Sequence, residues 1–355
     1  MGAILVVNAG STSLKLNVVD DEGRSVAVDS LERVPTGVVA VAHRVVHGGS
    51  RFRDPVVVDA EVRAEIAALE PLAPLHNAPA LESLDRAQRA LPDVAHVAVF
   101  DTAFHRTIPQ EASVYAVPRR WRTEWGVQRY GFHGLSVEWC AERVPSVLGH
   151  AVERLVVCHL GGGSSVTAVR SGRSVDTTMG FSPLEGVPMT TRSGSIDPGA
   201  LLYLLREHGF DADSLDHALN FDSGLEALAG RSGDMVDVER RAAAADSDAR
   251  LALEVFVHRV TAAVAAMAAA AGGLDALAFT AGIGEGSVLV RERICKRLEF
   301  LDVLLDGKRN RTAEPDCDLA ADDSRARVVV VRAREELVAA RAARTLLASD
   351  RRAKP

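Results

Sequence analysis

Two segments of this chain, half its length apart, are built the same way. Leu5-Val6-Val7 leads through Asn8-Ala9-Gly10-Ser11-Thr12-Ser13 into Leu14-Lys15-Leu16, and Leu155-Val156-Val157 leads through Cys158-His159-Leu160-Gly161-Gly162-Gly163 into Ser164-Ser165-Val166. A short apolar run, a Gly/Ser cluster and a second run form a hairpin signal. Its recurrence predicts two similarly built domains. With 355 residues the chain has room for two cores.

Strand-like runs cover 38–46, 94–100, 274–280 and 327–331. Apolar residues at helical spacing cover 61–69, 80–90, 198–207, 248–271, 288–300 and 335–348, and 349–355 reads as a frayed tail. The alternation predicts an α/β fold with ligands at the strand ends. The expected division is 1–148 with 335–355 as one domain and 149–334 as the other. Among the long apolar stretches, 260–271 is too short to span a bilayer and reads as a buried helix.

Net charge is -7, which excludes a general nucleic-acid or anionic-membrane surface. Four cysteines form no CxxC pair and read as buried thiols of a reducing cytosol. The N-terminus carries no basic leader pattern. His43 and His47 are four apart, but no HExxH pattern accompanies them, which excludes zinc.

Three segments suit a polyphosphate, because glycine lets backbone N–H groups approach closely. They are Gly10 to Lys15, which is no P-loop, His159 to Gly163, and Ala281-Gly282-Ile283-Gly284-Glu285-Gly286-Ser287, read as a loop between a strand and a helix. Arginine suits carboxylate and phosphoryl groups through its planar fork. Arg44 lies in an apolar strand closed by Gly48-Gly49, which favours function, whereas Arg192 lies in a polar loop that leaves its role open. Asp101 ends a strand and reads either as a catalytic carboxylate or as a helix cap. His133, between Phe132 and Gly134, reads either as a core histidine or as a site residue.

Taken together, these segments resemble the acetate kinase family, a branch of the sugar kinase/Hsp70/actin superfamily. The resemblance rests on 7–15, 43–49, Pro74-Leu75-His76-Asn77, 100–105, 130–134, 159–164, 176–186, 191–194, 279–285 and Glu335-Glu336-Leu337, in that order. It implies two ribonuclease H-like, actin-like domains with mixed sheets and a cleft between them. It also implies phosphoryl transfer from ATP to acetate in a cytoplasmic homodimer that pairs through the second domain, using the Ala-rich helix 248–271. Arg44, Asp101, His133 and Arg192 would be catalytic. Val46, Leu75, Phe132 and Pro183 would hold the methyl group, with His76 beside them. Ser11, Ser13 and Lys15 would serve the nucleotide, together with His159, Leu160, Gly161, Gly162, Gly163, Asp234, Met235, Val236, Gly282, Ile283, Gly284, Glu285 and Gly286. Asn8 and Glu335 would hold Mg²⁺ or Mn²⁺.

The chain departs from the family pattern in places. About two dozen residues separate Asp20 from His43, fewer than usual. Gly162 stands for a usual Asn, Thr190 for Gly, Ser195 for Asp, Val236 for Arg and Gly286 for Asn. The altered nucleotide periphery leaves room for another phosphoryl donor, such as pyrophosphate. The same segments are compatible with a propionate or butyrate kinase, and with a non-catalytic nucleotide-binding regulator.

Overall fold

The computed structural model describes residues 2–9 and 14–353, and for 74–76 and 350–353 only the backbone. It divides into two compact units. The first holds residues up to Arg106, Tyr115–Trp139 and Arg334 onward; the second holds Thr107–Val114 and Cys140–Ala333. The main division falls inside helix Gly134–Leu148 rather than at its end.

The sheet of the first unit comprises β1 (Ala3–Ala9), β2 (Leu14–Val19), β3 (Ser25–Val28), β4 (Val38–Val45), β5 (Val56–Val57) and β6 (Ala95–Phe100), in the order β3-β2-β1-β4-β6-β5. The β1–β2 and β2–β3 pairs are antiparallel, β1–β4 and β4–β6 parallel, and β6–β5 antiparallel. The second unit's sheet comprises β7 (Arg154–Leu160), β8 (Ser164–Arg170), β9 (Arg173–Thr177), β10 (Ala276–Thr280), β11 (Cys317–Asp318) and β12 (Arg327–Val330). Read as β9-β8-β7-β10-β12-β11, it repeats the first sheet strand for strand, with the same sequence of parallel and antiparallel pairs. The two hairpins seen in the sequence are β1–β2 and β7–β8.

Each central sheet is apolar on both faces because helices cover both. In the first unit Ile4, Val6, Ala40, Ala42, Val97 and Val99 pack against Val338, Ala339 and Ala343 of the C-terminal helix Glu335–Ala353. That helix continues through the expected frayed tail to Ala353. The opposite face meets helix Pro74–Ala90, which begins six residues earlier than its apolar periodicity shows. Pro74 at the first helical position explains the early start, since its missing N–H costs nothing there.

In the second unit helix Ser247–Ala271 buries Leu253, Phe256, Val257, Val260 and Val264 against β7 and β8. By length and composition it could cross a membrane, but its apolar face is spent on this core. The segment Ala281–Gly286, expected from sequence to be a loop, is a short helix. Its entry requires Ala281 in the left-handed region at φ 65, and the Ala281 N–H donates to Glu285 Oε1, closing the turn.

Candidate active site

Within the first unit, register brings the site together. Asn8 on β1 lies beside Lys15 on β2 and Arg44 on β4. These three neighbours project to one face near the strand ends. Arg44 is the hub of a largely buried cluster. Its Nε donates to Asp101 Oδ1 at 2.9 Å and its Nη2 to Asp101 Oδ2 at 2.5 Å, a bidentate pair. Its Nη1 donates to Asn8 Oδ1 at 3.0 Å and lies 3.3 Å from Glu335 Oε2. Asn8 Nδ2 completes the ring toward Glu335 Oε2 at 3.4 Å. Burial works against the Arg44 charge, but Asp101 and Glu335 outweigh it and raise its pKa.

Each partner arrives from a different element. Asp101 follows β6, and its N–H donates to Val45 O at 3.1 Å. Glu335 is the first residue of the C-terminal helix, where a carboxylate is favoured by the helix dipole. His133 sits at φ 59, immediately before helix Gly134–Leu148. The next residue must be glycine: a Cβ on Gly134 would lie 2.0 Å from Asp101 O, to which the Gly134 N–H donates at 3.0 Å. That close approach locks the His133 turn onto the Asp101 backbone. The left-handed residue costs of order 1–3 kcal/mol, held by the surrounding contacts.

Val46 and Phe132 are buried, and the Phe132 ring meets the edge of His47 at 5.3 Å. The motif Pro74-Leu75-His76-Asn77 by itself gives Asn77 no role, and the structure supplies one. Its Oδ1 accepts from the His47 N–H and its Nδ2 donates to His47 O, both at 3.1 Å, so one amide clamps the turn after Arg44. Thr102 accepts from the Gly48 N–H, and His105 Nε2 donates to Phe132 O at 2.8 Å. Burial lowers the His105 pKa to about 4, with Phe132 O and Asp101 opposing. Lys15 is exposed. Ser11 and Ser13 lie outside the described residues, as do the side chains of Leu75 and His76.

The second unit carries a cavity of about 480 Å³. Gly161, Gly162, Asp234, Met235, Val236, Gly282, Ile283 and Gly286 line it, as the sequence anticipates. Thr190, Ser232, Gly233 and Ser287, which lie in or beside the anticipated segments, also line it, as do Glu226 and Glu239, which the sequence reading misses. For Glu239 a signal exists, because it stands three residues after Val236 and therefore on the same helical face. His159, Leu160, Gly163, Gly284 and Glu285 are not among the lining residues. Leu160 belongs to the core, and Glu285 Oε1 accepts from the Ala281 and Ala333 N–H groups, bracing the turn instead. Asp234 caps helix Met235–Ala243 by accepting from the Val236 and Asp237 N–H groups.

Arg192 is half-buried, and its Nη1 donates to Pro183 O at 2.9 Å. Loss of hydration lowers its pKa, and among the described residues no carboxylate pairs with it. Its loop is tight: the Met189 N–H donates to Arg192 O, and Gly194 at φ 70 leaves no space for a Cβ beside Gly186 O and Val187. The guanidinium is thus held by one carbonyl, in a loop whose backbone is fixed around it.

A repeated mixed sheet bearing an arginine–carboxylate cluster in one unit and a glycine-walled cavity in the other defines a phosphotransferase-like protein. Comparison with known proteins gives the family. Residues 27–341 match the family described as "Acetokinase family". Acetate kinase from Acaryochloris marina is 48% identical over 296 residues, covering 83% of this chain and 74% of that protein. Acetate kinase from Microcystis aeruginosa is 44% identical over 351 residues, covering 96% and 87%. Among solved structures, a propionate kinase from Francisella tularensis superposes with a TM-score of 0.90 at 34% identity, covering 96% of this chain and 99% of that one. Porphyromonas gingivalis acetate kinase gives 0.87 at 31% identity, covering 98% and 100%. The chain belongs to the acetokinase family, and its fold is that of these kinases.

Proposed function

We propose that this protein is an acetate kinase, transferring the γ-phosphoryl of ATP to acetate to give ADP and acetyl phosphate, reversibly. The observation that carries this reading is the Arg44 cluster: a guanidinium fixed by Asp101, Asn8 and Glu335 in a chain of this family.

In the forward direction an acetate oxygen attacks the γ-phosphorus. The new C–O–P linkage forms as the bond to the β–γ bridging oxygen breaks, and the electron pair leaves on ADP. A carboxylate is already a nucleophile, so no general base is needed. The protein's task is to position two anions and to neutralise the charge spread over the phosphoryl oxygens. Arg44, oriented by Asp101, would bind the acid's carboxylate, and His133 of the first unit and Arg192 of the second are the groups proposed to serve the phosphoryl oxygens. Val46 and Phe132, both buried in the first unit, would border the methyl group. Lys15 would serve the phosphates, and the glycine-walled cavity would hold the nucleoside.

The donor set suits Mg²⁺. Asn8 Oδ1 and the Asp101 and Glu335 carboxylates are all hard oxygen ligands gathered around one guanidinium. Mg²⁺ with a nucleotide requires only one or two protein carboxylates, because phosphates and water complete its shell. Asn8 and Glu335 would hold the ion, which when bound neutralises phosphate charge. Exposed Ile196, Leu202, Tyr203, Leu205 and Phe221 on the second unit support a homodimer better than helix Ser247–Ala271, whose apolar face is already buried. Three buried free thiols support a cytoplasmic setting.

A hydroxamate assay of acyl phosphate formation, run with a panel of acids and donors, tests the proposal. Acetate with ATP and Mg²⁺ should give the highest kcat/KM. Calorimetric ATP binding without acyl phosphate from any acid would replace the kinase by a nucleotide-binding regulator. Propionate as the best acid would support the second reading, favoured by the likeness to the Francisella tularensis propionate kinase.

A further inference from the structure

The nucleotide cavity contains an unusual set of charges. Among its lining residues there is no Lys, Arg or His, yet three carboxylates are present: Glu226, Asp234 and Glu239. A carboxylate repels a phosphate chain, so these groups mark the base and ribose end, while Gly161 and Gly162 leave room for phosphates. The three are not equivalent. Asp234 is committed to capping its helix, and Glu226 is exposed. Glu239 is half-buried, and its Oε1 accepts from the hydroxyl of Ser287. Ser287 is itself buried and fixed, because its oxygen accepts from the Val290 N–H at the start of helix Val288–Arg297. The Ser287–Glu239 bond therefore ties the two walls of the cavity together and fixes which carboxylate oxygen remains. That oxygen, Oε2, carries no hydrogen bond among the described residues and can only accept.

We infer that Glu239, oriented by Ser287, is the base-reading group of this cavity and selects bases that present an amino group on the edge it faces, adenine above hypoxanthine. The inference rests on the proposed use of ATP. Adenine offers its 6-amino N–H to the free oxygen, whereas the 6-oxo group of hypoxanthine meets it as acceptor against acceptor. Val236, three residues earlier on the same helix and 76% exposed, supplies an apolar surface for the base without discriminating among bases. A site that hydrogen-bonds a substrate N–H rejects an analogue lacking it, because the acceptor, desolvated by the bound base, is left unpaired.

The test compares ATP, purine riboside triphosphate and ITP, by kcat/KM for acyl phosphate formation and by calorimetric affinity. With the wild-type protein, ATP should exceed purine riboside triphosphate by at least about 10-fold and ITP by more. Glu239→Gln keeps an oxygen for Ser287 and turns its amide N–H₂ toward the cavity. It should narrow the ATP:ITP ratio by at least about 10-fold while KM for acetate stays unchanged. Equal use of ATP and ITP by the wild type overturns the inference, and so does a Gln variant that weakens both nucleotides alike. If Glu239→Gln does not fold, the wild-type nucleotide series decides alone. If no nucleotide supports turnover, the kinase reading falls, and the calorimetric ATP:ITP ratio still decides the role of Glu239.

Discussion

The two sheets share one topology and carry opposite chemistry at their strand ends. In the first, Asn8 of β1 pairs in register with Arg44 of β4, and both join a network with two carboxylates. At the matching place in the second, His159 of β7 pairs with Thr280 of β10, and the chain leaves through glycines on one side and the left-handed Ala281 on the other. One frame thus serves two tasks. Polar side chains crossing neighbouring strands make a bonded cluster around Arg44, and a gap in side chains makes a cavity. The arginines differ in the same way: Arg44 is paired on every nitrogen, whereas Arg192 rests on a single carbonyl.

Replacing each arginine is the sharpest way to break this comparison. Both Arg44→Ala and Arg192→Ala should lower kcat by about 10³–10⁵-fold, as loss of a transition-state arginine does. Stability should separate them. Arg44→Ala leaves the buried Asp101 and the half-buried Glu335 without their cation and should cost about 3–5 kcal/mol in urea unfolding. Arg192→Ala removes a charge whose burial is already unfavourable and should leave the midpoint near the wild-type value. Equal destabilisation by the two would refute the contrast.

Acid should distinguish the units next. Burial lowers the pKa of His43 to about 3, with His96 adding to the effect, and that of His105 to about 4; both histidines belong to the first unit. With folded values below the unfolded one near 6.5, the unfolded chain binds more protons in this window. Stability is therefore full above about pH 6.5 and falls as pH drops toward 4. From pH 7 to 5 each group should cost about 2 kcal/mol. Hydrogen exchange should show the β1–β6 sheet loosening before β7–β12, and the reverse order would count against this account.

The smallest effect is expected in the acid pocket. Val46→Ala should shift the propionate:acetate ratio of kcat/KM upward by about 10-fold, since one methylene is worth roughly 1–3 kcal/mol. An unchanged ratio would move the methyl site away from Val46.

Much of the frame is legible in the sequence because its signals are local. A period of two, a period of 3.6 and glycine punctuation place β4, β6, β10, β12 and helix Pro198–Glu207 within a residue or two. The glycine segments point to the cavity, and the motif around Arg44 points to the cluster. The start of helix Pro74–Ala90 escapes periodicity because its first turn follows a proline rather than an apolar repeat. The Ala281–Gly286 turn has the composition of a loop, since glycine disfavours a helix that Glu285 and Ala281 nevertheless close.

The sequence by itself therefore determined the elements, the duplicated frame and which residue types bear the chemistry. Tertiary structure alone decided partnership: that Arg44 is held by both Asp101 and Glu335, that Asn77 clamps His47, and that Ser287 aims Glu239. Those pairs are separated by tens to hundreds of residues. Hydrogen bonds act over a few ångströms of space, and no periodicity along a chain encodes which distant groups will share that space.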